Sequence, residues 1–166
     1  LSDLRYVQVL HYGFDGKVKE GELIVNKKIA KKTVKVFYAL YQKRYRIERM
    51  RLIDDYGAND EKSMAANNTS AFNYRVISGT TKLSNHSYGM AIDINPRINP
   101  WVKGTKVSPA NGKVYKQRKT SKCKGKYKRY MIHKNDTAYK IFKKYGFSWG
   151  GEWRSSKDYQ HFEVNK

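Results

Sequence analysis

A chain of 166 residues is long enough to bury roughly two-thirds of its unfolded surface, and one domain is the expectation over residues 1–166. Its 35 Lys and Arg against 14 Asp and Glu leave a net charge of +21, which suits polyanionic partners such as nucleic acid, anionic lipid or the phosphate polymers of a cell wall. A single cysteine, Cys123, excludes an intrachain disulfide, and no apolar run approaches the ~20 residues of a membrane span.

No secretory signal is visible, and a start without Met is what a trimmed fragment would show. Tyr6-Val7-Gln8-Val9-Leu10 and Gly21-Glu22-Leu23-Ile24-Val25 read as two strands joined around Gly13-Phe14-Asp15-Gly16. Asn26 is placed to cap a helix whose apolar stripe is Ile29, Thr33, Val36, Phe37 and Leu40. The lysines at 27, 28, 31, 32 and 35 fall mostly off that stripe and read as a solvated basic face. Arg46 to Asp55 is expected as a further strand, although its charges and its alternation disagree. Asp60 to Ala66 suits a short helix, and Asn67-Asn68-Thr69-Ser70 a polar turn. Ala71 to Ile77 is expected to be extended, with Phe72, Tyr74 and Val76 on one face and Asn73 and Arg75 on the other.

The next stretch carries chemistry. Ser84-Asn85-His86-Ser87-Tyr88-Gly89-Met90-Ala91-Ile92-Asp93-Ile94-Asn95 sets an imidazole seven residues before a carboxylate. Alternation turns Ile92 and Ile94 toward a core and Asp93 the other way. A carboxylate on such a strand needs a partner, because an unpaired buried charge costs several kcal/mol or more. A metal ion is the obvious one, with His86 supplied from the turn before the strand.

From Pro96 to His133 regular periodicity is lost, and nine of the residues from Lys113 to Arg129 are Lys or Arg. A long charged surface loop at the edge of a groove is expected there, in preference to a nucleic-acid surface. Asp136 then caps a last helix with the stripe Ala138, Ile141, Phe142 and Tyr145. Gly146 stops it in the left-handed position, so that Phe147 folds back on Phe142. The paired glycines of Trp149-Gly150-Gly151-Glu152-Trp153 suit a close backbone approach, for which a peptide substrate is the candidate. Finally, Asp158-Tyr159-Gln160-His161-Phe162-Glu163-Val164 reads as one alternating strand with His161 and Glu163 on the same face.

Two imidazoles and one carboxylate (His86, His161 and Asp93) form the ligand set of a catalytic zinc site with one position left open. Asp158 is the expected general base beside it. Glu163 either orients a ligand or pairs with a lysine. Glu163 as third ligand in place of Asp93 would leave Asp93 without a role. His11 and His133 read as packing or surface residues. A serine nucleophile is disfavoured because no G-x-S-x-G elbow occurs, and nothing beyond its lysine-rich loop suggests a reactive Cys123.

The pattern S-x-H-x-x-G-x-A-x-D followed by D-x-x-H, here Ser84, His86, Gly89, Ala91, Asp93, Asp158 and His161, resembles the zinc peptidases that cut bacterial cell-wall peptides. Among them are D-Ala-D-Ala carboxypeptidases and L-alanyl-D-glutamate endopeptidases. The run Phe147 to Trp153 looks most like the L-alanyl-D-glutamate branch. The likeness covers roughly residues 70–166. It implies an α+β fold, a small antiparallel sheet carrying one Zn2+ per chain with helices on its other face. It also implies peptidoglycan peptides as substrate and action outside the cytoplasm, in association with the wall. Arg75 takes the place of a functional arginine in that family, and Asp158 stands where members often carry Glu. Ser84, Tyr88 and Trp153 are expected substrate contacts. The basic surface is expected to hold anionic wall polymers rather than nucleic acid, and the protein to be a monomer. The alternatives are a wall-polymer or nucleic-acid binding module with a structural metal, and a zinc protein closed by a fourth ligand.

Overall fold

The opening hairpin is longer than its alternation suggested: β1 (Leu4–Tyr12) pairs antiparallel with β2 (Val18–Asn26), Leu4 opposite Asn26 and Tyr12 opposite Val18. The computed structural model describes residues 1–165. Asn26 caps α1 (Lys27–Gln42), its side chain accepting a hydrogen bond from the Lys28 amide at 3.0 Å. The stripe Ile29, Thr33, Val36, Phe37 and Leu40 is buried, while Lys27, Lys28, Lys31 and Lys35 are exposed.

Between residues 46 and 77, three stretches differ from expectation. Arg46 to Asp55 is not a strand: Ile47, Met50 and Ile53 are buried, one residue in three, along an irregular strap that ends in a 3-10 turn at Ile53–Tyr56. A three-residue period lets Arg49 and Arg51 stay in water, which resolves the conflict between charge and alternation. After α2 (Asp60–Ala65), the polar run at 67–70 is buried rather than a surface turn. Its side chains replace ladder hydrogen bonds. Asn68 accepts from the Arg51 amide and donates to the Arg51 carbonyl, Asn67 accepts from the Arg97 amide, and Thr69 accepts from the Asn95 amide. Residues 71–77 are extended but form only one bridge, Val76 to Leu83. The alternation survives: Ala71 and Asn73 are buried, whereas Tyr74 and Val76 are exposed.

Two small antiparallel sheets follow. β3 (Ala91–Asp93) leads to a hairpin of β4 (Trp101–Lys103) and β5 (Lys106–Ser108), within the stretch expected to be irregular. α3 (Thr137–Lys144) is capped by Asp136, which accepts from the Tyr139 amide, and ends at Gly146 with φ 85°. Phe147 then lies 5.2 Å from Phe142, edge to face. β6 (Ser148–Trp149) follows. The expected strand 158–164 is two strands, β7 (Lys157–Asp158) and β8 (His161–Glu163), in different sheets. One sheet has the order β3-β8-β6 and the other β5-β4-β7. The chain breaks at Gln160 because that side chain turns inward to donate to the Asn99 carbonyl.

The fold is α+β, small antiparallel sheets with helices beside them. Phe162 points away from its neighbours His161 and Glu163 and stacks on Phe142 of α3 at 3.9 Å, so α3 covers the face opposite the two polar residues. Phe37 of α1 meets the same ring at 6.3 Å. One apolar cluster thereby joins the hairpin, α1, α3, β3 and β8. A smaller one, Ile98, Tyr115, Cys123 and Met131, lies under the 96–133 segment. Beside it the Arg118 guanidinium donates to the carbonyls of Ile98, Tyr115 and Ile132 and to Asn99 Oδ1, and lies 4.2 Å from the Tyr159 ring. These bonds replace a periodic core there. Cys123 is buried against the Val114 carbonyl, inside packing rather than at a reactive surface.

Candidate metal centre

His86 sits on a 3-10 turn (Asn85–Tyr88) that Ser84 caps, its Oγ accepting from the His86 amide at 3.2 Å. Gly89 ends the turn with φ 68°, and a Cβ there would stand 2.6 Å from the Asn26 amide nitrogen. Only glycine satisfies both the left-handed backbone and that approach. The turn and the start of β3 set His86 above Asp93. Across the sheet, Asp93 is the register partner of His161. His86 Nε2 lies 3.1 Å from Asp93 Oδ2 and 3.2 Å from His161 Nδ1, and His161 Nδ1 lies 3.3 Å from Asp93 Oδ1.

These separations fit a metal. Ligand atoms ~2.0–2.2 Å from a tetrahedral zinc ion stand about 3.3 Å apart. The other nitrogen of each imidazole is already engaged. His86 Nδ1 donates to the Ala71 carbonyl at 2.7 Å, leaving Nε2 to accept. His161 Nε2 donates to Glu163 Oε2 at 3.2 Å, leaving Nδ1 to accept. Glu163 is held in turn by the Asn85 amide group. Oriented imidazoles backed by a carbonyl or carboxylate are how proteins present metal ligands. Among the described residues, His86, Asp93 and His161 are the cluster of three able to hold an ion.

The electrostatics agree. Burial alone would raise the Asp93 carboxyl, but the two imidazoles hold it well below the usual carboxylate range. Burial opposes charge on His161 too, yet Asp93, Glu163 and Asp158 lift it to about 10. A cation is favoured at this point. Hydrogen bonding from His161 lowers the Glu163 carboxyl.

Asp158 arrives from the other sheet, its Oδ2 3.9 Å from His161 Nδ1. Burial pushes its carboxyl up to about 7, with His161 opposing and Asp93 reinforcing. Its Oδ1 is removed from solvent and, among the described residues, accepts no hydrogen bond. A buried carboxylate oxygen left free beside the cluster is what a proton acceptor for a bound water requires.

Other expected site residues are placed as follows. Trp153 packs its ring 5.2 Å from that of His161. Ser84 is spent on the cap of the His86 turn. Tyr88 is half-buried at the end of that turn, its carbonyl accepting from the Asn26 side chain. Arg75 stands at the side of the cluster, its Nε 3.6 Å from Asp60 Oδ2 and its charge among those that lower the Asp158 carboxyl. Sequence reasoning missed Asp60 and Asn85. Asp60 begins a helix and carries no motif, whereas Asn85 stands inside one. The close approach expected of the two glycines is internal. A Cβ on Gly150 would lie 2.5 Å from the Asp158 carbonyl, and Gly151 packs on the Trp149 indole. Among the described residues, no helix is long and apolar enough to cross a membrane.

The protein family described as D-alanyl-D-alanine carboxypeptidase matches residues 78–164, a span that contains His86, Asp93, Asp158, His161 and Glu163 but not Asp60 or Arg75. No curated protein and no solved structure matches the chain.

Proposed function

From its membership of the D-alanyl-D-alanine carboxypeptidase family, to which this chain belongs, we propose a zinc-dependent peptidase that hydrolyses stem-peptide bonds of peptidoglycan. The family supports a metallopeptidase acting on peptidoglycan. The observation that carries the finer reading is the joint geometry of His86, Asp93 and His161, with both tautomers fixed and a free Asp158 oxygen beside them. Three protein ligands favour a catalytic site over a structural one, which takes four.

In this reading His86 Nε2, Asp93 and His161 Nδ1 hold the ion. When bound, Zn2+ supplies Lewis acidity, acidifying water and polarising a carbonyl. Asp158 accepts the proton of the attacking water and returns it to the leaving amine; a buried carboxyl with one oxygen free of hydrogen bonds beside the ligand cluster suits both transfers. The one-methylene shortening relative to Glu is compatible with its carboxylate reaching within 3.9 Å of His161 Nδ1. Arg75 stabilises the oxyanion, steered by Asp60. Trp153 flanks His161 and contacts the substrate chain; Tyr88, two residues after His86 on the same turn, is the second candidate contact.

The whole chain, 1–166, acts as one catalytic domain, a reading supported by the apolar cluster that joins the first hairpin to both ligand strands. The protein works outside the cytoplasm, and its charge of +21 holds it to anionic wall polymers. The bond is either D-Ala-D-Ala at the stem's end or L-Ala-D-Glu within it. Zinc analysis combined with digestion of purified peptidoglycan tests the reading. Release of single alanine identifies the carboxypeptidase, and release of a peptide that begins at D-Glu, with L-Ala left on the glycan, the endopeptidase. A zinc-loaded protein that releases neither overturns the proposal.

A further inference from the structure

A groove of about 460 Å³ opens where α1 ends and α3 begins, and it shares no residue with the metal centre. It is lined by Lys43, Arg44, Arg46 and Arg129, and its single carboxylate is Asp136. Both Asp136 oxygens are taken: Oδ1 accepts from the Tyr139 amide at 2.9 Å and Oδ2 from the His133 amide at 2.8 Å. Among the described residues, none of the four cations makes an ion pair, although the chain's Arg49, Arg51, Arg75 and Arg97 all do. Lys43, Arg44 and Arg129 are exposed. Arg46 donates to the Gly13 carbonyl at 3.2 Å. Cations gathered along one groove without a free carboxylate partner repel one another, and an anion bound there relieves that repulsion.

The aromatic residues decide which anion. The Arg44 guanidinium lies 5.7 Å from the Tyr12 ring, whose other neighbour is the stacked Tyr41 ring at 5.1 Å. Arg129 lies 4.8 Å from the Tyr130 ring, which also packs on Phe14 at 4.9 Å. Tyr45, on the groove wall, sends its hydroxyl to the Tyr130 carbonyl. A base needs an open ring to stack on, and the Tyr12 and Tyr130 rings each already have two side-chain neighbours. Charge, more than ring stacking, is what the groove offers an anion.

We infer that this groove binds a phosphodiester polymer lacking aromatic bases, of the polyol-phosphate class, and so docks the enzyme on the wall beside its substrate. The biological part of this inference rests on the peptidase reading above; the binding itself does not.

The test titrates full-length protein with end-labelled poly(glycerol phosphate) and with a single-stranded oligonucleotide of equal charge, over a range of salt. Lys43→Gln, Arg44→Gln and Arg129→Gln are combined in one variant. A control variant of the same net charge combines Lys28→Gln, Lys31→Gln and Lys35→Gln on the exposed face of α1. The groove variant should bind poly(glycerol phosphate) at least tenfold more weakly and lose about two units of salt slope. The control should lose under threefold. Equal losses in the two variants would overturn the inference, since the charge would then act diffusely. Oligonucleotide binding as tight as that of the polymer, and equally dependent on the groove, would overturn it in favour of nucleic acid. Hydrolysis of a short soluble stem peptide, measured alongside, reports separately on folding and on the peptidase reading. Wild type that binds polymer but cleaves nothing refutes only the latter.

Discussion

Gly150→Ala tests whether the position of Asp158 is set by packing from outside the metal cluster. A methyl group at 150 would stand 2.5 Å from the Asp158 carbonyl oxygen, 2.9 Å from Asp158 Cβ and 3.2 Å from His161 Cβ. Ordinary contacts begin at about 3.3–3.5 Å, so backbone must give way by roughly 0.5–1 Å. The first two atoms belong to Asp158, whose residue pairs only with Trp101 at the end of a two-residue strand, whereas His161 is held in the central strand of its sheet. The displacement should therefore fall on Asp158. Overpacking of this kind costs about 1–3 kcal/mol of stability, and a misplacement of ~1 Å at a reacting group costs up to about a hundredfold in rate. The expected outcome is a folded protein with one zinc per chain and a ten- to hundredfold lower kcat on a soluble stem peptide. The measurements are elemental analysis, a urea unfolding curve and steady-state kinetics. Full activity with full zinc would refute the placement of the base. Loss of zinc would show that His161 moves instead.

His86→Ala, Asp93→Ala and His161→Ala should each lose stoichiometric zinc by elemental analysis, because two ligands do not make a site. Asp158→Ala should keep the metal and lose hydrolysis by roughly two to four orders of magnitude; a normal rate would pass the role to Glu152 or Glu163. Glu163→Ala should weaken zinc about 10–100-fold in competition with a chelator, by freeing the His161 ring. Arg118→Met leaves three carbonyls without their donor and should lower the unfolding free energy by about 3 kcal/mol in urea with little change in zinc content. Burial lowers the pKa of His11 below 6.5, against hydrogen bonds to the Ile47 and Tyr12 backbone. The unfolded chain thus takes up a proton first, and stability present above pH 6.5 is lost as pH falls below it. His11→Gln should flatten that slope in melting experiments, and identical slopes would refute the assignment.

Much of the molecule is written locally. The α1 stripe and its Asn26 cap, the stop at Gly146 and the return of Phe147 to Phe142 follow from residues within a turn or two of each other. The candidate site is legible for the same reason. One 3-10 turn relates His86 to Asp93, and alternation puts His161 and Glu163 on one face. Tertiary structure decided what has no period. The 46–53 strap, read as a strand, is shaped by Asn67, Asn68 and Asn95, whose side chains supply distant hydrogen bonds in place of a ladder. Tertiary structure also placed Asp158 in one sheet and His161 in the other, brought Asp60 to Arg75, and buried Arg118 among carbonyls. A local pattern reports which side of an element meets apolar neighbours, because burial repeats with the backbone's own period. A polar side chain that satisfies a backbone group dozens of residues away repeats with nothing, and only the folded chain shows which group it meets.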